Sequence, residues 1–194
     1  MDHMNDVKSD RRIRKTKKAL KDGLTKLMLE KSIKDISVKE LTEEVDINRG
    51  TFYLHYKDVF DMVEQIEKEM LHEFTEVMSY HTLQSLNGQP LPLLIDIFSF
   101  LKENATMCAA LLGSHGDIAF VNKLKEVVRE KCLNVWMELF HNGKVERFEY
   151  FYSFIFSGCI GLFEIWLKNG LKESPEQIAK LTEEMILHGV EAIR

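Results

Sequence analysis

The sequence predicts an all-α protein of about nine helices, in which a three-helix N-terminal unit precedes a larger helical bundle. Apolar residues recur at spacings of three and four along most of the chain, which is the period of a buried helix face. Only three prolines and ten glycines interrupt the 194 residues, so we expect short loops between helices. No segment alternates apolar and polar residues as a half-buried strand would, and no internal repeat is visible.

Two helices are expected before residue 46. Helix one spans Asp10–Lys31, where apolar and small residues form a single stripe. The tetrapeptide Ser37–Glu40 fits a capping box, in which the serine hydroxyl accepts from a backbone N–H and the glutamate reaches back to the serine. Helix two therefore follows Ser37 and ends near Val45.

The pattern breaks at Asp46-Ile47-Asn48, because aspartate tolerates a left-handed turn and asparagine is a favoured N-cap. A short third helix is expected from Arg49 to Tyr56. Asp58 caps a long fourth helix that reaches about His81. The remaining helices are expected at about 91–103, 105–113, 117–141, 145–170 and 175–194.

Charge is distributed unevenly along the chain. The net charge is −5, yet residues 1–60 hold 14 Lys and Arg against 11 Asp and Glu. Between residues 8 and 21 there are eight basic side chains and a single acidic one, Asp10. They are Lys8, Arg11, Arg12, Arg14, Lys15, Lys17, Lys18 and Lys21. This stretch either meets a phosphate backbone or forms a solvated helix face.

Several other classes of protein are disfavoured. Three separated cysteines, Cys108, Cys132 and Cys159, encode no disulfide framework and no CxxC zinc site, and we interpret them as reduced core thiols. The histidines are dispersed and no catalytic constellation is visible, so neither a metal, a cofactor nor an enzymatic activity is predicted. No apolar run approaches the roughly 18 residues of a membrane span and no signal peptide is recognisable. We therefore expect no membrane association and a cytoplasmic location.

Residues 38–56 form two short helices joined by a three-residue turn, which is a helix-turn-helix when the apolar positions point inward. The outer surface of such a motif reaches base edges and phosphates of duplex DNA. The candidate DNA-binding residues are Ser37, Lys39, Asn48, Arg49, Gly50, Thr51, Tyr53, His55, Tyr56 and Lys57. A plain helical hairpin would use the same apolar pattern and remains the alternative.

The segment Ser37–Met62 resembles the DNA-binding signature of the TetR family of bacterial regulators. Residues 36–41, ISVKEL, resemble the start of its second helix, and residues 48–58, NRGTFYLHYKD, resemble the recognition-helix motif of a subgroup common in Firmicutes. A looser resemblance covers Arg12–Met28 and, near the C-terminus, includes Gly158, Gly161, Trp166 and Ser174-Pro175.

Two residues depart from the pattern of that family. Asp46 stands where a turn glycine is usual, a replacement of modest conformational cost. Val59 stands where the family typically carries a lysine that meets a phosphate. One phosphate contact is therefore expected to be missing, and Val59→Lys is expected to tighten binding if that position faces the DNA.

The resemblance implies two domains, a helix-turn-helix DNA-binding domain at 8–57 and a regulatory, effector-binding and dimerisation domain at 58–194. It implies a homodimer on a palindromic operator, with a small apolar effector or a regulatory protein as a further partner. The candidate dimer residues are Cys159, Leu162, Phe163, Trp166, Ile178, Leu181 and Met185, unless they pack only within one chain. The candidate effector pocket consists of Phe98, Met107, Leu111, Phe120, Trp136, Phe140, Tyr150 and Phe154, unless these are ordinary core residues.

The expected function is that of a repressor modulated by its effector or partner. The same family implies an activator as one alternative. A helical interaction module with weakened DNA binding is the other alternative, and Val59 is the residue that favours it.

Overall fold

The computed structural model describes residues 3–81, 90–113, 118–139 and 145–189, and all regular structure within these ranges is helical. Side chains are described from residue 11 onward, except at 134–139, 145 and 146. The elements are α1 (His3–Glu30), η1 (a 3-10 turn, Ile33–Asp35), α2 (Val38–Glu44), α3 (Arg49–Tyr53), α4 (Val59–Ser79), α5 (Leu91–Glu103), α6 (Ala105–Leu112), α7 (Ile118–Leu139), α8 (Val145–Lys168) and α9 (Pro175–His188). The all-α prediction is confirmed.

Most helix boundaries lie within a few residues of their predicted positions. The largest difference at a start is in α1, which begins at His3 instead of Asp10. The third helix ends at Tyr53 instead of Tyr56, because the N–H of Leu54 already turns to the carbonyl of Phe52. Residues beyond 189, which the last predicted helix included, lie outside the described ranges.

The chain forms two compact units. Unit 1 contains residues 1–69 and 106–118, and unit 2 contains residues 70–105 and 119–194. The single helix α4 contributes its first half to unit 1 and its second half to unit 2. Unit 1 includes the first half of α4, where Val59, Met62 and Ile66 are buried, whereas the boundary expected from the sequence is at 57.

The core of unit 1 forms around α1, α2 and α3. The fully buried side chains there include Leu20, Leu24, Leu41, Phe52 and Met62. Gly23 lies where α1 meets the end of α2, and a Cβ at this position would overlap the Cγ1 atom of Val45. A glycine is needed here for close helix packing, because valine is short and stiff and cannot swing aside.

Gly23→Ala should lower the free energy of unfolding by about 1–3 kcal/mol through overpacking against Val45. Urea unfolding followed by circular dichroism measures this change. Leu29→Ala is the matched control on the same helix, because Leu29 is an exposed side chain and its loss should cost less than about 0.5 kcal/mol. Equal stability of the Gly23→Ala variant and the parent would contradict the close packing.

The core of unit 2 is built on aromatic packing between α5 and α8 and on the pairing of α5 with α9. The ring of Phe98 meets that of Trp166 edge-on at 5.8 Å between centroids. The indole N–H of Trp166 donates to the carbonyl of Glu173 at 3.2 Å, which satisfies the only polar atom of that buried side chain. The backbone N–H of Leu91, at the start of α5, donates to Glu183 of α9 at 3.0 Å.

Polar contacts also join α7 to α8 within unit 2. Arg129 donates from Nε to the Glu149 carboxylate at 3.0 Å, and the paired arginine holds the pKa of Glu149 below its usual value. The hydroxyl of Tyr152 donates to the carbonyl of Lys125. Burial raises the pKa of the Tyr152 hydroxyl well above its ordinary range, so it stays protonated as a donor.

The three cysteines are free thiols. Burial raises the pKa of Cys108 to about 12, and it raises the pKa of both Cys132 and Cys159 to about 11. A thiol with such a pKa is almost entirely protonated at neutral pH and is therefore a poor nucleophile. Their predicted state as reduced thiols agrees with this geometry.

The helix α8 has two sides of different character. Phe148, Tyr152, Phe163 and Trp166 are buried on one side. At 100° per residue the other side presents, within an arc of about 80°, the residues Tyr150, Phe154, Gly158, Gly161 and Ile165, which we call the α8 stripe. Its large side chains are exposed, Tyr150 to 82% and Phe154 to 75%, and a Cβ at either glycine would meet open space.

The same helix corrects one expectation from the sequence. From Arg147 to Lys168 it is long and apolar enough to cross a membrane, as judged by length and composition alone, although no run of that length was expected. Of its most apolar 18-residue window, only 17% is buried. Core helices of ordinary globular proteins pass the same test, so this property by itself identifies no membrane protein.

Candidate nucleic-acid interface

The start of α2 is fixed by Ser37. Its hydroxyl accepts from the backbone N–H of Glu40 at 3.2 Å, which confirms one half of the predicted capping box. The carboxylate of Glu40 pairs with the ammonium group of Lys31 instead of reaching back to Ser37. The predicted second half of the box is therefore wrong, because a charged partner competes for that carboxylate.

The turn between α2 and α3 is held by a left-handed residue. Asp46 has φ of 52°, and the N–H of Ile47 bonds the carbonyl of Thr42 at 2.9 Å, which closes the end of α2 as a Schellman-type turn. The expectation that Asp46 replaces the usual glycine in a left-handed turn is confirmed. The side chain of Asn48 then caps α3 by accepting from the N–H of Gly50 at 2.7 Å.

The cap of α3 gives one reason why position 50 is a glycine. A Cβ there would lie 3.2 Å from the Asn48 oxygen that caps the helix. A side chain at position 50 would therefore crowd the cap. The cap and the glycine together fix where α3 begins and which way its outer side points.

The outer side of α3 carries exposed polar, charged and aromatic groups. Arg49 and Lys57 are exposed, Tyr53 is 57% exposed, and Thr51 and His55 are half-buried. Phe52 is fully buried on the opposite side and contacts the ring of Tyr53 edge-on at 5.5 Å. Within the described part of the chain Arg49 has no ion-pair partner, so its guanidinium is available for a ligand.

One of the ten predicted DNA-binding residues, Tyr56, has a buried ring. Tyr56 is only 7% exposed, and its ring packs 5.6 Å from that of Phe52, with the ammonium of Lys17 5.9 Å above it. Burial raises the pKa of its hydroxyl. Tyr56 is therefore a core residue that supports α3, because it lies one helical turn after Phe52 on the inner side.

Position 59 also differs from the expectation. Val59 is 3% exposed, so its side chain belongs to the core of unit 1 and does not face a phosphate. The neighbouring Phe60 is 54% exposed instead. The expectation that Val59→Lys tightens DNA binding is therefore withdrawn, because a lysine would have to enter the core.

Two hydrogen bonds close the start of α4. The N–H of Asp61 donates to Asp58 at 2.8 Å, which confirms Asp58 as the N-cap, and the N–H of Lys57 donates to the Asp61 carboxylate at 2.9 Å. The second bond lowers the pKa of Asp61. This bond fixes the backbone of Lys57 just after α3, and the lysine side chain is exposed there.

Two acid–base pairs in unit 1 involve exposed lysines, and other cations of unit 1 are exposed as well. The Nζ atom of Lys39 lies 3.9 Å from Oε1 of Glu43, and that of Lys18 lies 2.7 Å from Oδ2 of Asp22. The positive charges of these two lysines are therefore partly compensated. Further exposed basic residues on α1 include Arg11, Arg12, Arg14 and Lys15. Unit 1 therefore presents cations from α1, from α3 and from the start of α4.

The predicted dimer residues divide into two groups. Phe163, Trp166 and Ile178 are buried within the chain, to between 1% and 6% exposure, where Phe98 and the segment before α9 cover the tryptophan. These three were assigned to a partner and lie in the protein's own core instead. The half-exposed members are Cys159, Leu162, Leu181 and Met185. Sequence reasoning missed the α8 stripe as an exposed surface, although its spacing of four, four, three and four residues is visible in the sequence.

The predicted pocket residues that the structure describes belong to both units. Met107 and Leu111 are buried in unit 1, where the sulfur of Met107 accepts from Thr25 at 3.7 Å, whereas Phe98 and Phe120 are buried in unit 2. Tyr150 and Phe154 belong to the exposed α8 stripe and line no interior. Phe140 and the side chain of Trp136 lie outside the described ranges.

Comparison with known proteins was decisive for the family. Residues 88–188, more than half of the chain, match the TetR-type family model described as a transcriptional regulator C-terminal region. The HTH-type transcriptional regulator YxbF of Bacillus subtilis is 23% identical over 171 residues. That alignment covers 86% of this chain and 43% of YxbF, so this chain spans less than half the length of that relative.

Solved structures share the fold at low sequence identity. A TetR transcriptional regulator from Streptococcus agalactiae is 22% identical with a TM-score of 0.59, over 93% of this chain and 98% of its own. The regulator FadR from Bacillus subtilis, solved in complex with stearoyl-CoA, is 16% identical with a TM-score of 0.61, over 89% of this chain and 98% of its own. With the helix-turn-helix geometry described above and the matched C-terminal region, the chain belongs to the TetR family of transcriptional regulators.

Proposed function

We propose that this protein is a homodimeric repressor that binds a palindromic operator through the outer side of α3. The observation that carries the proposal is the available guanidinium of Arg49 on a helix whose start is fixed by the Asn48 cap. Arginine binds guanine bidentately in the major groove, and a rigid recognition helix is what places it there. Lys39, Lys57 and the exposed cations of α1 would contact phosphates. The cytoplasm is the corresponding location.

A gel-shift titration with the region upstream of the protein's own gene tests the proposal. Raising salt from about 50 to 200 mM should weaken binding by at least about tenfold, because phosphate contacts release counterions. Competition with random duplex of the same length distinguishes specific from general affinity. The absence of binding at low salt, or an affinity that does not change with salt, would refute a DNA-binding function.

Variants separate base reading from phosphate contact. Arg49→Ala should cost about 1–3 kcal/mol on the operator and much less on random DNA, because it removes one base contact. Lys57→Ala should weaken binding to both duplexes alike and reduce the salt slope by about one. Fluorescence anisotropy at several salt concentrations measures both effects. Equal losses on operator and random DNA would contradict the role of Arg49.

A second copy of the chain is the proposed partner of the α8 stripe. The stripe joins large exposed side chains at both ends to two glycines at its centre, where a partner helix could approach closely. Its spacing is that of a helix in a four-helix bundle. The half-exposed Leu181 and Met185 on α9 would extend this surface. A bilayer fits less well, because α8 also carries Glu164 as an exposed residue and Glu149 paired with Arg129.

Regulation by a small apolar ligand or by a partner protein remains part of the proposal. The stearoyl-CoA bound to the FadR relative supports a ligand with a long apolar part. Because α4 is one continuous helix with residues in both units, a ligand in unit 2 could change operator affinity through it. Such coupling is reciprocal, so operator DNA should weaken ligand binding by the same factor, typically 5–150-fold. A helical interaction module with weakened DNA binding is the alternative, and Val59 favours it because its buried side chain supplies no phosphate contact.

A further inference from the structure

Leu54 is an exposed leucine on the outer side of the proposed recognition helix. It follows α3 directly and keeps right-handed helical backbone angles, with φ of −71° and ψ of −19°. Its side chain is 78% exposed, more than any other large apolar side chain described in unit 1. A leucine in this position has neither a donor nor an acceptor to offer a ligand.

The helical geometry places Leu54 beside the polar groups of the same surface. Leu54 lies four residues after Gly50 and one after Tyr53, which puts it on the side opposite the buried Phe52. A glycine one turn earlier adds no side chain above it, so a ligand that reaches Gly50 would also reach the leucine. Leu54 is thus an apolar contact point on a surface that is otherwise polar.

We infer that Leu54 reads the 5-methyl group of a thymine in each half-site of the operator. This inference rests on the proposed DNA-binding function. The thymine methyl is the apolar feature that the major groove offers to a side chain of this kind, and it distinguishes thymine from cytosine and from uracil. Leu54 would thereby add a specificity that neither Arg49 nor the phosphate contacts supply.

Replacement of thymine by deoxyuridine removes only that methyl group and tests the inference directly. The operator is first selected from random duplex by the 194-residue protein, and thymines are then replaced one symmetric pair at a time. At one position the parent protein should lose about fourfold in affinity per methyl, or about 15-fold for the pair, on the usual value of a buried methylene. Leu54→Ala should bind the thymine operator no more tightly than the parent binds the deoxyuridine operator. It should also no longer distinguish thymine from deoxyuridine at that position.

Two further variants complete the experiment. Leu54→Met keeps an apolar side chain and should retain most of the thymine preference. Leu29→Ala removes an exposed leucine from α1, outside the proposed interface, and should behave like the parent on every duplex. Because Leu54 is so exposed, its alanine variant should fold normally, which circular dichroism checks.

The outcomes separate this inference from the proposed function. If no duplex is bound, the DNA-binding function fails and the inference fails with it. If the operator is bound but every deoxyuridine pair leaves the parent's affinity within twofold, only the inference is overturned. Equal sensitivity of the parent and Leu54→Ala to deoxyuridine overturns it as well. A loss on Leu54→Ala without any methyl dependence also overturns it and indicates a contact to the sugar–phosphate backbone instead.

Discussion

Replacing Phe154 by glutamate should leave a folded monomer that no longer binds operator DNA with the affinity of the parent. A charge within the α8 stripe would have to be buried against a second copy, which costs far more than the apolar contact that it replaces. In the isolated chain Phe154 is 75% exposed, so the substitution should not disturb the fold. A monomer has only one helix-turn-helix, so its affinity for a palindrome should be lower by about 10²–10⁴-fold. Two linked helix-turn-helix units bind more tightly because the second unit binds at a high effective concentration.

Sedimentation equilibrium and anisotropy on the same samples measure this effect. Ile118→Glu is the matched control, since Ile118 is 77% exposed but lies outside the stripe, and it should remain dimeric with the affinity of the parent. If the Phe154→Glu variant is monomeric and yet binds a palindromic operator as tightly as the parent, binding does not require the two helix-turn-helix units of a dimer. Trp166→Glu would be a poor test, because its ring is buried against Phe98 and the substitution would unfold unit 2.

The second large effect is expected at Val59. Val59→Lys should reduce the free energy of unfolding of unit 1 by about 3 kcal/mol or more, because it forces an ammonium group into an apolar core. DNA binding should fall with the loss of folded protein. Thermal and urea unfolding followed by circular dichroism measure the change.

The adjacent residue provides the control for Val59. Phe60 is 54% exposed, so Phe60→Lys should cost less than about 1 kcal/mol, and the added charge beside Lys57 should steepen the salt dependence of DNA binding. A Val59→Lys variant that is as stable as the parent and binds DNA more tightly would show that this side chain can reach a phosphate after all.

Local signals in the sequence predicted the helices and the turn well. The left-handed Asp46, the Asn48 cap and the Asp58 cap each depend on chemistry within a few residues, so the sequence alone predicts them. Glu40 shows the limit of this reasoning. Its carboxylate pairs with Lys31, nine residues away, instead of capping α2. No local sequence pattern specifies such a competing partner.

The orientation of side chains was harder to predict where a helix is apolar nearly all round. In α8 both sides are rich in aromatics, so periodicity alone could not tell whether Trp166 or Phe154 faces the core. The indole N–H of Trp166 needs a partner when buried and finds it in Glu173, which is a tertiary contact. The expectation that position 59 faces a phosphate failed for a related reason. A role that a family assigns to a position transfers only if the side chain points the same way.

The raised pKa values of the cysteines make labelling kinetics informative about each unit of the unmodified protein. Cys108 belongs to unit 1, whereas Cys132 and Cys159 belong to unit 2. Each thiol should react slowly with an alkylating reagent, because the folded protein suppresses the thiolate that attacks. The buried Cys108 should react chiefly when its surroundings open, whereas Cys132 and Cys159 are half-exposed. Mass spectrometry of the labelled peptides would follow the reaction of each thiol in one sample. Operator DNA should slow the modification of Cys108, and an effector bound in unit 2 should slow that of Cys132 and Cys159.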